Sequence, residues 1–378
     1  MLKSVRCQMY RGGTSKGPFF LESDLPPAGP ERDRAILRIM GSPDVRQIDG
    51  IGGAVSTTSK IAIISRSSRP DCDVDYTFGQ VSLDEPLVSY DGNCGNMLSA
   101  VGPFAIDNAL VPAQEGETLV RIYNTNTKKC IDAYVPTQDG RVEYEGDFHL
   151  PGVPGTSSEI RIAFRNPAGA VTGSLLPTGN LTDELDIPGF GRIIMSFVDS
   201  VNPGCFIRAC DVGMTGTELP EEIDADAKLS ELLETIRAHA AVRLGFITDP
   251  SLSRSRSPAV PKMIMISEPK SYPMVSGGTL NAQDTDIICR MMSMQRAHRT
   301  FAFSAALCTA SACAIEGTLP ARLCRAREDR SRLRVGHTDG IITAGVIADL
   351  DQAVPEIRAA YGVRTARRLF AGEAFYID

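Results

Sequence analysis

Short apolar runs separated by glycine and proline dominate the first half of the chain and predict a mainly β region. Strands are expected at residues 2–9, 61–64, 74–83, 119–123, 142–144 and 160–164. Helical spacing predicts a helix over residues 31–40 that ends at Gly41. A second helix is expected from Gly95 to about Asn108, with a bend or interruption at Pro103.

The second half of the chain combines strands with clearer helical patterns. Strands are expected at residues 192–198, 205–209, 261–267 and 363–370. Asp224 or Asp226 can cap a helix that ends at Gly245, because the intervening apolar residues recur at helical spacing. The apolar residues between positions 287 and 294 have a similar spacing, which predicts a helix beginning at Asp284.

Each half contains a polar segment followed by a helix of small residues, once after Cys94 and once after His298. This repetition predicts a divergent duplication in which each half presents one helix N-terminus to a shared cleft. A chain of 378 residues also exceeds the usual size of a single core. The glycine- and proline-rich stretch at 175–191 predicts domains 1–187 and 188–378, with the last strand free to return to the first domain.

Composition argues against nucleic-acid-binding, membrane, disulfide-rich and metal-binding classes of protein. Apolar residues make up 43% of the chain, and the net charge of −7 argues against a nucleic-acid partner. The N-terminus has no apolar leader and no stretch reaches membrane-spanning length, so a cytoplasmic location without a membrane partner is expected. The ten cysteines do not form a disulfide framework, and the four scattered histidines give no support for a metal site.

Cys94 is the strongest candidate for chemistry among the cysteines. It lies at or beside the predicted N-terminus of a helix, where unpaired N–H groups and the helix dipole favour a thiolate and a substrate carboxylate. A buried structural thiol in a glycine-rich turn is the alternative.

Two glycine- and hydroxyl-rich loops suit anion binding. The first contains Thr14 and Ser15, and a tight hairpin is its alternative interpretation. The second contains glycines at 50, 52 and 53 that do not form a dinucleotide-binding motif, and it ends at Lys60. Lys60 precedes a buried strand and is a candidate base, with an ordinary surface lysine as the alternative.

His298 is a candidate catalytic residue at the second helix start, with a structural histidine as its alternative.

Several motifs in the same order resemble the PrpF family, which includes 2-methylaconitate cis–trans isomerase, 4-oxalomesaconate tautomerase and aconitate Δ-isomerase. The resemblance covers nearly the whole chain. It rests on Arg11-Gly-Gly-Thr-Ser-Lys-Gly17, Met40-Gly-Ser-Pro-Asp44, Gln47-Ile-Asp-Gly-Ile-Gly-Gly53, Thr58-Ser-Lys60, Asp73-Val-Asp-Tyr76, Asn93-Cys-Gly-Asn96, Leu176-Pro-Thr-Gly-Asn180, Gly213-Met-Thr-Gly-Thr-Glu218 and Val260-Pro-Lys262.

The resemblance implies an α/β (α+β) fold of the diaminopimelate-epimerase-like type. In this fold, each of two similar domains wraps a curved, mostly antiparallel sheet around a central helix, and the active site lies between the domains. By the same resemblance Lys60, Cys94 and His298 match catalytic positions. The residues expected to bind substrate carboxylates are Thr14, Ser15, Lys16, Ser59, Asn93, Gly95, Asn96, Ser304 and His337.

The activity implied by the resemblance is cofactor-independent, metal-free isomerisation of small unsaturated tricarboxylates by allylic proton transfer, most like that of 2-methylaconitate or aconitate cis–trans isomerase. Lys60 is hypothesised to be the base, with Cys94 reprotonating or positioning the substrate. Alternatives are a 4-oxalomesaconate tautomerase that performs a 1,3-shift, a two-cysteine racemase of the same fold, and an accessory protein that binds an aconitase-like enzyme. A homodimer and a functional link to an aconitase-like enzyme stay open.

Overall fold

The computed structural model describes residues 1–90, 94–325, 332–349 and 355–377. The chain divides into two compact units, residues 1–163 with 363–378 and residues 164–362. The sequence predicts the boundary at 187/188, whereas the structure places it at 163/164. The reason is that residues 183–187 pair with residues 191–195 and bury Leu185 and Ile187 in a core of the second unit.

The fold belongs to the predicted α/β (α+β) class. The strands are β1 (Leu2–Gly12), β2 (Ser15–Leu21), β3 (Lys60–Arg66), β4 (Val74–Val81), β5 (Val88–Ser89), β6 (Gly116–Asn124), β7 (Lys129–Gln138), β8 (Arg141–Val142), β9 (Ile160–Arg165), β10 (Asp183–Ile187), β11 (Gly191–Ser200), β12 (Asn202–Arg208), β13 (Lys262–Ser267), β14 (Tyr272–Pro273), β15 (Thr279–Leu280), β16 (Ile287–Ser293), β17 (Arg296–Ala297), β18 (Leu333–His337), β19 (Gly340–Asp349), β20 (Glu356–Arg364) and β21 (Ala366–Ile377). The helices are α1 (Pro30–Met40), α2 (Gly95–Leu98), α3 (Val101–Asp107), α4 (Pro220–Ala225), α5 (Ala227–Arg243), α6 (Ser253–Arg256), α7 (Phe303–Ala314) and α8 (Leu319–Leu323).

The first unit starts with an antiparallel hairpin of β1 and β2, joined by the two-residue turn Gly13-Thr14. Gly13 has a φ of 51°, a backbone conformation that glycine adopts without steric cost. Strand β2 then pairs in parallel with β3, β3 in antiparallel with β4, β4 in parallel with β6, and β6 in antiparallel with β7. Helix α3, between β4 and β6 in the chain, packs against β6 and β7.

The second unit has the same order of pairings. Strands β11 and β12 form the hairpin, β12 pairs in parallel with β13, β13 in antiparallel with β16, β16 in parallel with β18, and β18 in antiparallel with β19. Helix α7 lies between β16 and β18 in the chain and contacts β11, β12 and β19. Nine of its twelve residues are buried, because its alanines and Cys308 lie in the largest core of this unit. The two units therefore share one topology around a central helix, as the sequence predicts.

An aspartate–arginine pair recurs at matching positions of the two units. In the first, the Asp73 N–H donates to the Arg121 carbonyl at 2.7 Å, and the Arg121 N–H and guanidinium donate to the Asp73 carboxylate at 2.8 and 2.7 Å. In the second, the same three bonds join Asp286 and Arg334 at 2.8, 2.8 and 2.9 Å. Each pair connects two parallel strands, β4 with β6 and β16 with β18.

The two pairs differ in burial, which gives a matched test of stability. The Asp286 side chain is 0% exposed, whereas the side chains of Asp73 and Arg121 are 21% and 42% exposed. We expect Asp286→Asn to lower the free energy of unfolding by about 3 kcal/mol, since it removes the charge opposite a partly desolvated arginine. Asp73→Asn should cost only about 1 kcal/mol. Urea denaturation of both variants measures the difference, and equal losses would contradict the explanation from burial.

One predicted helix is wrong. Residues 287–293 form strand β16, which pairs with both β13 and β18, and residues 287–292 are all buried. A strand covered on both faces loses the alternation of apolar and polar residues, so its pattern can coincide with helical spacing.

Three other segments differ in detail from the prediction. The segment after Cys94 forms two short helices interrupted at Ser99 and Ala100, not at Pro103. Pro103 lies in the first turn of α3. Backbone N–H groups there have no acceptor within the helix, so a proline costs the helix no hydrogen bond. The strand predicted at 363–370 is interrupted at Thr365, whose carbonyl accepts a hydrogen bond from the Gly13 N–H at 2.8 Å. Strand β8 ends at Val142, two residues earlier than predicted. Among the described helices, none is both long and apolar enough to cross a membrane.

Candidate functional site

The hairpin turn of the first unit brings several predicted residues together. The buried Ser15 hydroxyl lies 4.0 Å from the Cys94 Sγ, and either atom can be the donor. The Asn96 Nδ2 donates to the Thr14 Oγ1 at 2.9 Å. A side chain at Gly13 would collide with Asn96, because a Cβ there would lie 2.2 Å from the Asn96 Oδ1. The absence of a side chain at Gly13 therefore lets the turn pack directly against the residues that follow Cys94.

Cys94 is half-buried and precedes α2, with an extended backbone. Helix α2 has only four residues, so the helix dipole expected from a segment ending near Asn108 is largely lost. Arg364 instead supplies positive charge. Its buried guanidinium interacts electrostatically with Cys94: burial lowers the pKa of Arg364 and a Cys94 thiolate raises it. Arginine stays protonated in proteins, so Arg364 places a buried positive charge near Cys94.

Tyr76 is a second neighbour of Cys94. Its hydroxyl is fully buried and has no hydrogen-bond partner among the described residues. Burial raises the pKa of Tyr76 well above its usual value, and a Cys94 thiolate raises it further, so the phenol stays protonated. An O–H donor thus lies close to Cys94. Tyr76 ends one of the family motifs and was visible in the sequence, whereas Arg364 falls in a strand pattern and no sequence signal identified it.

The role of Arg364 can be tested by cysteine alkylation. Since the thiolate is the reacting form, we expect Arg364→Met to slow the reaction of Cys94 with iodoacetamide at pH 7 about tenfold. Site-resolved mass spectrometry measures the rate at Cys94 separately from the other cysteines. Arg141→Met, at an exposed position of β8, is the matched control and should leave the rate unchanged. A correctly folded Arg364→Met protein that reacts as fast as the wild type would contradict this role.

Lys60 is the first residue of β3 and is half-buried. Its Nζ donates to the Gln80 Oε1 at 2.5 Å and lies 5.2 Å from the centre of the Phe78 ring. The Gln80 amide is itself held by the Ser59 carbonyl at 2.8 Å. The contacts at Lys60 therefore hold the side chain in one orientation.

The hairpin also contacts the segment that carries Lys60. The Lys16 N–H donates to the Thr57 carbonyl at 3.0 Å. A Cβ at Gly17 would lie 2.0 Å from the Lys60 carbonyl oxygen and 3.1 Å from the Met97 side chain in α2. The same short hairpin thus contacts both the Lys60 backbone and the Cys94 region. Ser59 is completely buried, and its hydroxyl bonds the Gln47 amide and the Val81 carbonyl, which gives it a structural function.

The remaining predicted residues of the first unit are Gly95 and Asn93. Gly95 is the first residue of α2, and Asn93 lies outside the described residues.

Three predicted residues belong to the second unit. His298 follows β17, and its Nδ1 accepts a hydrogen bond from the Thr300 N–H at 3.1 Å. Burial is the main cause that lowers the pKa of His298, and Lys262 contributes. Ser304 is the second residue of α7 and is half-buried. His337 is buried at the end of β18, and its Nδ1 accepts from the Asp339 N–H at 3.1 Å.

The start of α7 carries no thiol. Ala302 precedes the helix where Cys94 precedes α2, and Cys308 lies one turn after Ser304. The Cys308 thiol is completely buried, donates to the Val198 carbonyl at 3.2 Å, and has its pKa raised to about 12 by burial. A mechanism with two opposed cysteines, as in a racemase, therefore has no support from these residues.

One group of metal-ligand side chains occurs among the described residues. Donor atoms of Asp71, Cys72 and Cys130 lie within 4.8 Å of one another. The Asp71 carboxylate is already held by the Arg69 guanidinium at 3.0 and 3.1 Å, and this positive charge disfavours a cation. Asp71 and Cys72 precede β4, at the opposite end of the β3–β4 pair from Lys60, and Cys130 is in β7. These residues are therefore not part of the Lys60 and Cys94 region.

A family model described as PrpF protein matches residues 2–377. The chain belongs to the PrpF family. Among curated relatives, 3-methylitaconate isomerase of Eubacterium barkeri is 44% identical over 98% of this chain and 97% of its own length. The 2-methyl-aconitate isomerase of Shewanella oneidensis is 44% identical over 97% and 96%. The 4-oxalomesaconate tautomerase of Pseudomonas putida is 43% identical over 97% and 95%.

Solved structures agree with this family assignment. A crystal structure of methylitaconate-delta-isomerase has a TM-score of 0.93 and 44% identity, covering 99% of this chain and 96% of that one. A hydroxyproline epimerase from Agrobacterium vitis has a TM-score of 0.51 at 10% identity, covering 99% of this chain and 93% of that one. This second likeness concerns the fold alone, and it is the epimerase-like fold expected for PrpF proteins.

Proposed function

We propose that this PrpF protein isomerises small unsaturated polycarboxylates, with tricarboxylates such as 2-methylaconitate as substrates, by moving a proton within an allylic system. The named relatives act on 3-methylitaconate, 2-methylaconitate and 4-oxalomesaconate. In each of these acids a carbon–carbon double bond lies beside carboxylates. A proton on a carbon next to that double bond is acidic, because the carbanion left behind is delocalised into the carboxylates.

The observation that carries the proposal is the surroundings of Cys94. The thiol lies beside the Ser15 hydroxyl and interacts with the buried positive charge of Arg364. A cysteine beside a positive charge and a hydroxyl is a suitable general base in its thiolate form. The Thr14 hydroxyl on the hairpin turn and the Asn96 amide in α2, joined at 2.9 Å, can donate to a substrate carboxylate.

The contacts of Lys60 favour a role as the acid that returns the proton. The Gln80 oxygen and the face of the Phe78 ring are partners that suit an ammonium group, and an ammonium group is an acid and not a base. We therefore assign proton removal to the Cys94 thiolate and proton return to the Lys60 ammonium, the reverse of the roles expected from the sequence. The substrate loses one proton to the Cys94 thiolate, forms a dienolate, and regains one proton from the Lys60 ammonium at another carbon or after bond rotation. Exchange with solvent then removes the proton from the Cys94 thiol and returns one to the Lys60 amine, so that the protons balance over one turnover. The proposed transfer uses the side chains of this chain and needs no cofactor.

The magnitudes are those of ordinary general acid–base catalysis. Each positioned proton transfer contributes about 10²- to 10⁴-fold in rate, and one preorganised donor to a developing oxyanion contributes about 3 kcal/mol. Two transferring groups with two or three donors are therefore sufficient for turnover on the scale typical of enzymes.

Proton NMR in D₂O tests the proposal. The purified protein is incubated separately with 2-methylaconitate, cis-aconitate, 4-oxalomesaconate and 3-methylitaconate. We expect conversion of at least one acid, with deuterium incorporated at the carbon that receives the returning proton. Because no other protein is present, conversion also distinguishes an isomerase from an accessory protein for an aconitase-like enzyme. No conversion of any of the four acids would contradict the proposal.

A tautomerase activity is the second candidate, favoured by the 43% identity with 4-oxalomesaconate tautomerase. The same spectra distinguish the outcomes. A 1,3-shift moves the double bond and creates a new sp³ carbon, whereas geometric isomerisation returns the double bond to the same carbons with its substituents exchanged.

A further inference from the structure

A lysine-led strand occurs once in each unit. Lys60-Ile-Ala-Ile-Ile-Ser65 forms most of β3, and Lys262-Met-Ile-Met-Ile-Ser267 forms β13. Both strands lie at the same place in the shared topology, because each pairs in parallel with the second strand of its hairpin. Lys262 is therefore the counterpart of Lys60.

The neighbours of the two lysines confirm that the positions correspond. Gly17 lies against the Lys60 carbonyl, and Gly204 is the residue paired with Lys262. A Cβ at Gly17 would lie 3.1 Å from Met97 in α2, and a Cβ at Gly204 would lie 3.1 Å from the Cys308 Sγ in α7. Each glycine thus makes room for the helix that its sheet surrounds. The duplication has kept a lysine at this position of each unit, although it has not kept a thiol at each helix start.

The charge on Lys262 has no counterpart in its surroundings. Its ammonium forms no hydrogen bond and no ion pair with any of the described residues, although the residue is half-buried. The charged group that acts on it is Arg237. The Arg237 guanidinium is itself neutralised by Glu234 at 2.8 and 2.7 Å. Burial and Arg237 both lower the pKa of Lys262, as expected for a cation without an anion beside it.

His298 provides a hydrogen-bond donor near Lys262. Met263, the residue after Lys262, pairs with Met292, and Met292 also pairs with Ala297, the residue before His298. Its Nδ1 accepts from the Thr300 N–H, so in the neutral ring the proton is on Nε2. The Nε2–H has no acceptor among the described residues. Burial lowers the pKa of His298, which keeps the ring in this neutral form. An unpaired ammonium and an unpaired N–H donor together match the two oxygens of a carboxylate.

We propose that Lys262 and His298 form a site in the second unit that binds a carboxylate group. The ligand class, a small polycarboxylate, rests on the proposed function. The site needs no proton transfer. The ammonium attracts the carboxylate by its charge, and the hydrogen bond from the imidazole N–H orients it.

Calorimetric titration with tricarballylate tests the proposal without requiring turnover, because this saturated tricarboxylate has no double bond to isomerise. We expect Lys262→Met to raise the Kd for tricarballylate at least tenfold, and Lys262→Arg, which keeps the charge, to raise it less than threefold. Lys228→Met, at an exposed position of α5, is the control and should bind as the wild type does. If Lys262→Met does not fold, as judged by circular dichroism, Lys262→Gln takes its place.

The outcomes separate this inference from the proposed reaction. A Kd within twofold of the wild type for the uncharged variant overturns the site, even if the wild-type protein isomerises its substrate normally. Failure of the wild type to bind tricarballylate at millimolar concentration also overturns it. If the wild type converts none of the four acids but its tricarballylate binding depends on Lys262, the reaction is refuted and the carboxylate site stands.

Discussion

Cys94→Ala is expected to lower kcat/KM for the converted acid by about 10⁴-fold, the upper end of what one positioned proton-transfer group contributes. The reason is that the thiol is the proposed base near the positive charge of Arg364, and alanine leaves no base beside Ser15. Initial rates measured by NMR or ultraviolet absorbance give kcat/KM for the wild type and the variant.

Cys210→Ala is the matched control for this variant. Cys210 is an exposed cysteine of the second unit, and its loss should leave kcat/KM within twofold of the wild type. A Cys94→Ala protein that is folded and keeps more than a tenth of wild-type kcat/KM would refute a catalytic function for the thiol.

Lys60→Met is expected to lower kcat/KM by about 10³-fold, because methionine has a similar length but cannot return a proton to the dienolate. The effect should be mainly on kcat, since the loss concerns the transition state for reprotonation. Steady-state kinetics over a range of substrate concentrations separate kcat from KM.

Two comparisons make the result for Lys60 specific. Lys129→Met, at an exposed lysine of β7, should have no effect on kcat. Gln80→Leu keeps the lysine but removes the oxygen that bonds its Nζ, and should lower kcat by about tenfold. A Lys60→Met protein with raised KM and unchanged kcat would instead indicate that the lysine only binds the substrate.

Much of the fold could be predicted from the sequence because its patterns are local. Helix α1 ends at Gly41 in the left-handed conformation, and Asp226 caps α5 with its side chain, as the capping residues predicted. The duplication could be predicted from the two small-residue helices. Strand β16 could not, because Ile287, Ile288 and Met291 fit a helix as well as a strand buried on both faces.

The candidate site was only partly accessible to sequence reasoning. Thr14, Ser15 and Asn96 occur in glycine-rich motifs, and the structure brings them to Cys94. Arg364 lies 270 positions after Cys94 and is the last residue of strand β20. Its proximity to Cys94 could therefore be recognised only once the fold was known. The sequence shows a lysine before an apolar strand at both 60 and 262. Only the matching strand pairings show that the two lysines occupy corresponding positions.

Deuterium exchange in the two variants is the most direct test of the proposed division of roles. Each variant is incubated in D₂O with the converted acid, and proton NMR records both loss of the allylic proton signal and formation of product. We predict that Lys60→Met exchanges the allylic proton while forming little product, because the Cys94 thiolate still removes it, and that Cys94→Ala does neither. Exchange by Cys94→Ala together with none by Lys60→Met would contradict the account and make Lys60 the base.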